Sequence, residues 1–513
     1  MSAPAWPRAA LFSLSDKSGA AAFASALAAR GTTILASGGT AAALAAAGVA
    51  VTRVEEWTGF GEMLGGRVKT LHPHVHAPIL ARRDAPADMA ALAERDLEPL
   101  DLVVVSLYPF EDKGVALDDA GMIEEVDIGG VALLRAAAKN HDGVIVLHDP
   151  SQYAGALAAL ERGVTAEERR AWAVSAFART ARYDAAIATE LARRSAPAGE
   201  PPALRGVMLE RARTLRYGEN PHQEAALYAR AGSLHALESW REGKELSYNN
   251  LLDLEAAVSL VWKFDKPACV IVKHNQPCGA ACAESLVDAY SLAVEADELS
   301  SFGGIVAFNR PLDGATAAEV ATRFVECVAY PELTPEADAA LRGRRNLRLV
   351  RLTAAELAMP GDWRLRAVGP WVLAQRETKA PAPPWRVVTK RAPDARERAA
   401  LEFAWLVCDA ARSNAIVLAR GEELVGLGSG QTSRVDAVDV ALMKARRAGH
   451  DTHDTVLASD GFFPFPDSVT HAAEAGVTAI VQPGGSVKDA DVIAEADRLG
   501  LAMIFTDRRT FRH

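Results

Sequence analysis

Short runs of apolar residues without polar alternation constrain this chain more than any other feature. Residues 102–107, 144–147 and 268–272 are too short for independent helices, and nearly every position in them is apolar. A strand with one wet face would alternate, so these runs read as strands buried on both faces of a sheet. From the start to about residue 150, alanine-rich helical stretches separate such runs, which is βαβ organisation with a parallel sheet. Residues 32–36 read as a strand, 40–47 as a helix stopped by Gly48, and 49–54 as the next strand. Helical segments follow to about residue 194.

At 513 residues the chain exceeds one ordinary core, and about 150 residues per domain suggests about three units. The stretch 195–202 carries three prolines and a glycine among small residues and reads as a linker. A second proline-rich stretch, 380–384, joins two C-terminal subdomains, the latter opening with a hairpin around Gly421-Glu422. The expected division is therefore 1–195 and 203–513, with subdomains of about 203–378 and 386–513.

The net charge of −10 argues against nucleic-acid or membrane-surface binding but leaves room for small anions held by local Lys and Arg. Five cysteines, an odd number, in part within apolar runs, point to a reducing compartment without structural disulfides. No window has the length of a membrane span and the N-terminus lacks a signal core, so the cytoplasm is the default expectation.

The strand 268–272 delivers Lys273 and His274 at its end, and Pro277 and Gly279 read as the turn that follows. Strand ends form the ligand crevice of open α/β sheets. There His274 suits a general base, with Lys273 meeting developing negative charge. The alternative is a solvated lysine beside a surface histidine.

In the first 200 residues, Ser37-Gly38-Gly39-Thr40 follows a strand and opens a helix, the geometry of an anion cradle or of a plain capped turn. Ser13, Ser15 and Lys17 could add hydroxyls and a cation to the same crevice. Arg67, Lys69, Thr70 and His72 crowd a loop between glycines and a proline. Tyr108 ends the 102–107 strand. Asp127 precedes Gly129 and a helix that finishes at Lys139; these read as site residues or as an N-cap and a C-terminal dipole partner. His72, His74 and His76 alternate, and an extended backbone would align them as metal ligands, although Pro73 interrupts the series and no carboxylate-rich motif accompanies it.

Further on, Arg216, Tyr217 and His222 form a polar turn cluster suited to a phosphate. His222-Gln223-Glu224 with Pro277-Cys278 approaches the zinc deaminase pattern, but Cys282 falls one residue too far for it. Gly304 precedes the strand 305–308, and Asn414 the strand 415–418. The segment 428–434 is a further anion cradle. Asp460, Phe462, Phe463 and Phe465 occupy a loop that would suit a flat aromatic ligand or pack as core.

Together these segments closely resemble the bifunctional purine-biosynthesis family that joins phosphoribosylaminoimidazolecarboxamide (AICAR) formyltransferase to inosine monophosphate (IMP) cyclohydrolase. The resemblance runs from Leu11 to His513. It rests on ordered matches such as Gly-Arg-Val-Lys-Thr-Leu-His-Pro at 66–73, Asp-Ile-Gly-Gly at 127–130, Arg-Tyr-Gly-Glu-Asn at 216–220, Val-Lys-His at 272–274 and Phe-Phe-Pro-Phe at 462–465. It implies an α/β fold: a methylglyoxal-synthase-like N-terminal domain, then a transferase of two cytidine-deaminase-like αβα subdomains without zinc. The implied chemistry is formyl transfer from the co-substrate 10-formyltetrahydrofolate to AICAR, then closure of formyl-AICAR to IMP with loss of water. By this resemblance His274 is the base and Lys273 and Asn414 stabilise the transition state. Arg216, Tyr217 and Arg509 would hold the nucleotide, the phenylalanine loop at 462–465, with Phe462 and Phe463, would line the pterin and imidazole pockets, and His222, Gly304 and Asp460 would also bind substrate. For cyclisation the family's residues map onto Lys69, Tyr108, Asp127 and Lys139. Ser13, Ser15, Lys17, Ser37, Gly38, Gly39, Thr40, Arg67, Thr70 and Gly129 would bind that substrate. A homodimer sharing the transferase site is implied, with no catalytic metal and room for a structural monovalent cation. Two departures stand out: the family usually has Asn where this chain has Gln276, and Asn where it has Ser106.

Overall fold

The computed structural model describes residues 6–111, 113–230, 241, 242, 244–357, 363–376 and 384–513. They fall into two compact units, Met1–Leu209 and Glu210–His513.

The first unit is built on β1 (Ala9–Leu14), β2 (Thr33–Ala36), β3 (Thr52–Arg53), β4 (Leu102–Ser106) and β5 (Ile145–Leu147). All pair in parallel in the order β3-β2-β1-β4-β5. The unbroken apolar runs have the expected cause. Leu11, Val103, Val105 and Val146 pack into one core, while Phe12, Val104, Ile145 and Leu147 pack into another on the opposite face. The strand expected at 49–54 shrinks to two residues, because Val54 begins the helix Val54–Thr58, with Glu55 and Glu56 favourably placed in its first turn. The register sets Leu14 opposite Ser106, so the loops leaving β1 and β4 start side by side.

The second unit has a small sheet of β6 (Leu209–Leu215) and β7 (Ala225–Arg230) and one long sheet. The long sheet takes β8 (Arg241–Glu242), β9 (Ala268–Lys273), β10 (Gln276–Cys282), β11 (Ile305–Phe308), β12 (Cys327–Tyr330) and β13 (Arg348–Arg351) from the first half. A separate hairpin, β14 (Trp363–Val368) and β15 (Trp371–Arg376), follows. The second half adds β16 (Arg386–Val387), β17 (Ile416–Arg420), β18 (Glu423–Gly428), β19 (Thr455–Ser459), β20 (Val477–Gln482) and β21 (Ala502–Phe505). Among the described residues the order is β16-β21-β20-β19-β17-β18-β10-β9-β11-β12-β13-β8. The halves meet where Ala281 of β10 pairs with Glu423 of β18, and Cys282 N donates to Glu422 O at 2.9 Å. The residues expected to link them, 380–383, lie outside the described set.

Strand direction decides where the site can be. β9 is antiparallel to both β10 and β11, so its Lys273 end lies on the edge where β11, β12 and β13 begin. Following the pairings through β10, β18 and β17, β17 begins on this edge and β18, β19, β20 and β21 end there.

The turn expected at Pro277 and Gly279 is displaced. The chain reverses at His274 and Asn275, whose φ angles of 54° and 60° belong to a two-residue hairpin turn of the primed type. Pro277 lies inside β10, at an irregularity in register between Pro277 and Gly279. Gly279 serves close packing: a Cβ there would stand 2.0 Å from the Ala293 carbonyl oxygen, in the helix Leu286–Glu295.

Candidate functional site

Each unit gathers polar residues at one edge of its sheet. In the first unit this is the carboxyl edge. Ser15 N donates to Ser106 O at 3.1 Å. The Ser106 hydroxyl accepts from Asp16 N at 2.9 Å and donates to Asp16 O at 3.2 Å, fastening the loops after β1 and β4 together. Thr40, buried, accepts from Leu14 N at 2.9 Å, so its hydroxyl holds the end of β1. Ser13 is half-buried on β1, and Lys17 is exposed with its ammonium donating to Ser15 O at 3.3 Å. Ser37 leads into the helix Gly38–Ala46, which starts two residues before the expected Thr40 and so takes Gly39 into its first turn.

Lys69 sits at this edge. A Cβ on Gly38 would lie 3.4 Å from its ammonium nitrogen and one on Gly66 2.9 Å, so the lysine end packs against both glycines. Glu62 Oε2 is 3.3 Å from the same nitrogen. The Thr70 hydroxyl would be 2.9 Å from a Cβ on Gly129, at the start of the helix Gly129–Lys139. Asp127 Oδ1 accepts from Gly130 N at 2.8 Å, and the Tyr108 backbone also bonds this carboxyl. Burial pushes the Asp127 carboxyl up, and these bonds oppose the shift. Tyr108 is exposed beside it, and Arg67, also exposed, pairs with Glu124.

Two groups weighed in the sequence are set apart from this cluster. Lys139 is the last residue of the helix that Gly129 begins, and eleven residues at about 1.5 Å each carry it roughly 15 Å away. It lies at the far edge, before β5, as a partner for the helix C-terminus. The histidine triplet is not extended. His72 caps the helix Pro73–Leu80, its Nδ1 accepting from His74 N at 3.1 Å, and its ring meets that of His74 edge to face at 4.8 Å. Among the described residues no cluster of three His, Cys, Asp or Glu could hold a metal.

In the second unit, Lys273 Nζ donates to Phe302 O at 2.8 Å, and His274 is exposed at the hairpin tip. Gly304 abuts this strand end: a Cβ on it would meet Ile271 at 2.9 Å and Val272 O at 3.2 Å. Across the seam between halves, Gln276 Oε1 accepts from Arg412 N at 3.1 Å. That bond ties the hairpin to the loop carrying Asn414. Asn414 is itself fixed, donating to Gln431 O at 2.9 Å and accepting from Arg434 Nη2 at 2.6 Å. Arg434 also donates to Ser459 Oγ at 2.8 Å and to Asp460 Oδ1 at 2.6 Å, and both ends of this ion pair are buried. The segment expected as an anion cradle thus delivers an arginine to Asn414 instead.

Phe463 is wholly buried in the core of the second half, so its ring packs the loop and is closed to a ligand. Phe462 and Phe465 stay exposed. Arg509 lies over the Phe511 ring, 4.4 Å from its centroid. Arg216 stacks on Tyr217 at 5.2 Å, and both line a cavity of about 150 Å³ with Asn250, Phe324, Glu326 and Arg348. His222, exposed in the adjoining turn, does not line it.

Glu326 and Arg348 had no local signal in the sequence, whereas Asn250 ends the Leu-Ser-Tyr-Asn-Asn run at 246–250, which also matches the family. Asn250 Nδ2 donates to Glu326 Oε2 at 3.0 Å, and Arg348 reaches Glu245 O at 3.0 and 3.1 Å. Arg348 and Glu326 come from the beginnings of neighbouring parallel strands, and only the sheet brings them together. All five cysteines are buried free thiols; burial pushes Cys278 and Cys282 up to about 12, leaving both protonated.

Residues 137–444 match the family described as "AICARFT/IMPCHase bienzyme", and residues 19–132 match an "MGS-like domain". The bifunctional purine biosynthesis protein PurH of Chloroflexus aurantiacus is 49% identical over 98% of this chain and 98% of its own length. Those of Roseobacter denitrificans and a Cyanothece species are 47% and 48% identical, each over 99% of this chain and 99% and 100% of their own lengths.

Proposed function

The chain belongs to the AICARFT/IMPCHase bienzyme family, and we propose from this premise how its two polar edges divide the family's two reactions. The protein transfers the formyl group of 10-formyltetrahydrofolate to AICAR and closes formyl-AICAR to IMP with loss of water. We assign formyl transfer to residues 203–513 and cyclisation to residues 1–195.

In formyl transfer the 5-amino nitrogen of AICAR attacks the formyl carbon. Its lone pair is delocalised into the imidazole, so it needs a base as the bond forms. His274 takes the amine proton; Lys273 and Asn414 meet the charge on the formyl oxygen; the tetrahydrofolate nitrogen leaves with a proton. Asn414, gripped by Gln431 and Arg434, costs little reorganisation at that moment. Arg216, Tyr217 and Arg509 hold the nucleotide. Exposed Phe462 offers the folate a ring, Gly304 leaves it room, and Asp460 acts through Arg434.

In cyclisation the carboxamide nitrogen attacks the formyl carbon, and water departs from the resulting carbinolamine. Lys69 and the Tyr108 phenol stabilise the oxyanion, and Asp127 accepts the amide proton. Ser15, Lys17, Gly38, Gly39, Arg67, Thr70 and Gly129 bind the substrate.

The observation that carries this reading is the presence of two separate polar clusters, one per compact unit. The test is a crossed pair of variants. His274→Ala loses formyl transfer by about 10²–10⁴-fold while cyclisation of supplied formyl-AICAR survives, and Lys69→Ala does the reverse. Near wild-type formylation by His274→Ala would overturn the base assignment.

We also propose a homodimer. Among the described residues the β14–β15 hairpin pairs only with itself, and it exposes Trp371, Val372 and Leu373. A lone two-stranded hairpin with apolar side chains exposed on both faces calls for a cover, and a second copy supplies one. Sedimentation at micromolar concentration tests this. No helix among the described residues is long and apolar enough to cross a membrane, and the buried free thiols suit the cytoplasm we propose as its location.

A further inference from the structure

The His274-Asn275 turn is an expensive conformation. Both residues have positive φ, a region that L side chains adopt reluctantly, histidine more so than asparagine. Something has to hold the turn, and the contacts converge on one side chain. Asp253, in the helix Tyr248–Val261, accepts from Asn275 N at 2.6 Å through Oδ1 and from His274 N at 3.3 Å through Oδ2. The Asn275 amide, oriented with its nitrogen inward, donates to the same Oδ1 at 3.2 Å and to Leu252 O at 3.0 Å. One carboxylate thus satisfies both backbone N–H groups of the turn. Burial pushes the Asp253 carboxyl up, so the fold keeps this charge at a cost to stability.

We propose that Asp253 is a positioning residue for formyl transfer: by chelating the two backbone N–H groups of the turn, it aims the His274 imidazole and the adjoining Lys273 at the reacting amine. It touches neither substrate nor the moving proton. A neutral side chain of the same shape can accept at only one of its two terminal atoms, so one N–H loses its partner and the turn relaxes.

The inference rests on His274 as the base, so the full-length variants Asp253→Asn, Asp253→Asn/Asn275→Gly and His274→Ala are measured together. Asp253→Asn should lower kcat for formyl transfer by about 30-fold, the scale of misplacing a catalytic group, with KM for AICAR within about threefold and cyclisation unchanged. Adding Asn275→Gly should recover about fivefold of the loss, since glycine enters positive φ without strain. Wild-type kcat in Asp253→Asn, a loss confined to KM, or no recovery in the double variant would each overturn the positioning role. If His274→Ala retains formyl transfer, the base assignment fails; if His274→Ala loses it and Asp253→Asn does not, the positioning role alone fails.

Discussion

The two halves of the long sheet repeat one plan with opposite polarity at the site. Each has a helix, a hairpin, then parallel strands separated by helices. The first half presents the beginnings of β11, β12 and β13 to the functional edge, whereas the second presents the ends of β19, β20 and β21. The hairpins are also reversed. The tip at His274-Asn275 lies on the functional edge, while the tip at Gly421-Glu422 lies on the other, beside Cys282. The lesson is that a strand-end rule written for parallel sheets covers only part of the site: it describes β19, β20 and β21, while Asn414 precedes a strand and Lys273 ends an antiparallel one. In the first half, chemistry comes from a hairpin tip and from strand starts, Glu326 and Arg348 among them.

Variants at matched positions can break or sharpen that contrast, and the ion pairs should show the largest difference. Arg434→Met leaves Asp460 wholly buried and unpaired and frees Asn414, so about 3–5 kcal/mol of stability should go, with formyl transfer. Arg348→Met, opposite a partly exposed Glu326, should cost about 1–2 kcal/mol, mainly through the Glu245 carbonyl it deserts. Urea unfolding of both variants measures the gap, and equal losses would mean the halves are built alike here.

The bare contacts between hairpin and helix should instead match. A Cβ on Gly279 would stand 2.0 Å from Ala293 O, and one on Gly428 1.9 Å from Ala437 O. Alanine at either should cost about 1–3 kcal/mol by forcing helix from sheet. A tolerated substitution on one side, read by thermal melts, would end the equivalence.

The smallest effect is electrostatic. Glu423, next to the second tip, is pushed up by burial, as Asp253 is beneath the first. A raised carboxyl penalises the fold above its folded pKa and relieves it as pH falls through that value. Glu423→Gln should therefore be modestly more stable than the parent at neutral pH, the advantage fading below the ordinary carboxylate range, with formyl transfer intact. A loss of formyl transfer would show that the second tip also serves the site.

Much of this fold was legible because double-sided burial writes itself as unbroken apolar runs. β4, β5 and β9 fall within a residue or so of the expected runs. What failed was local chemistry that reads two ways. Pro277 and Gly279 look like a turn, yet the register irregularity admits the proline and the helix contact needs the glycine. His-Asn is a weak turn signal, although asparagine enters positive φ more readily than most residues. Pro73 after His72 marked a helix start that the alternation of histidines masked. Asp253, Glu326, Arg348 and Arg434 act through partners from 20 to 103 positions away, a distance at which sequence spacing carries no information.

The reversal of strand direction also sorts helix dipoles. In the second half, the helices Arg434–Arg447, Asp467–Glu474 and Asp489–Arg498 begin at the functional edge; in the first half, Leu286–Glu295, Gly314–Thr322 and Pro335–Leu341 finish there. Each terminus carries about half an elementary charge. These six helices therefore set positive termini along one half of the edge and negative termini along the other, opposed in each half by one longer helix: Tyr248–Val261 begins at the edge in the first half and Ala395–Ala410 finishes there in the second.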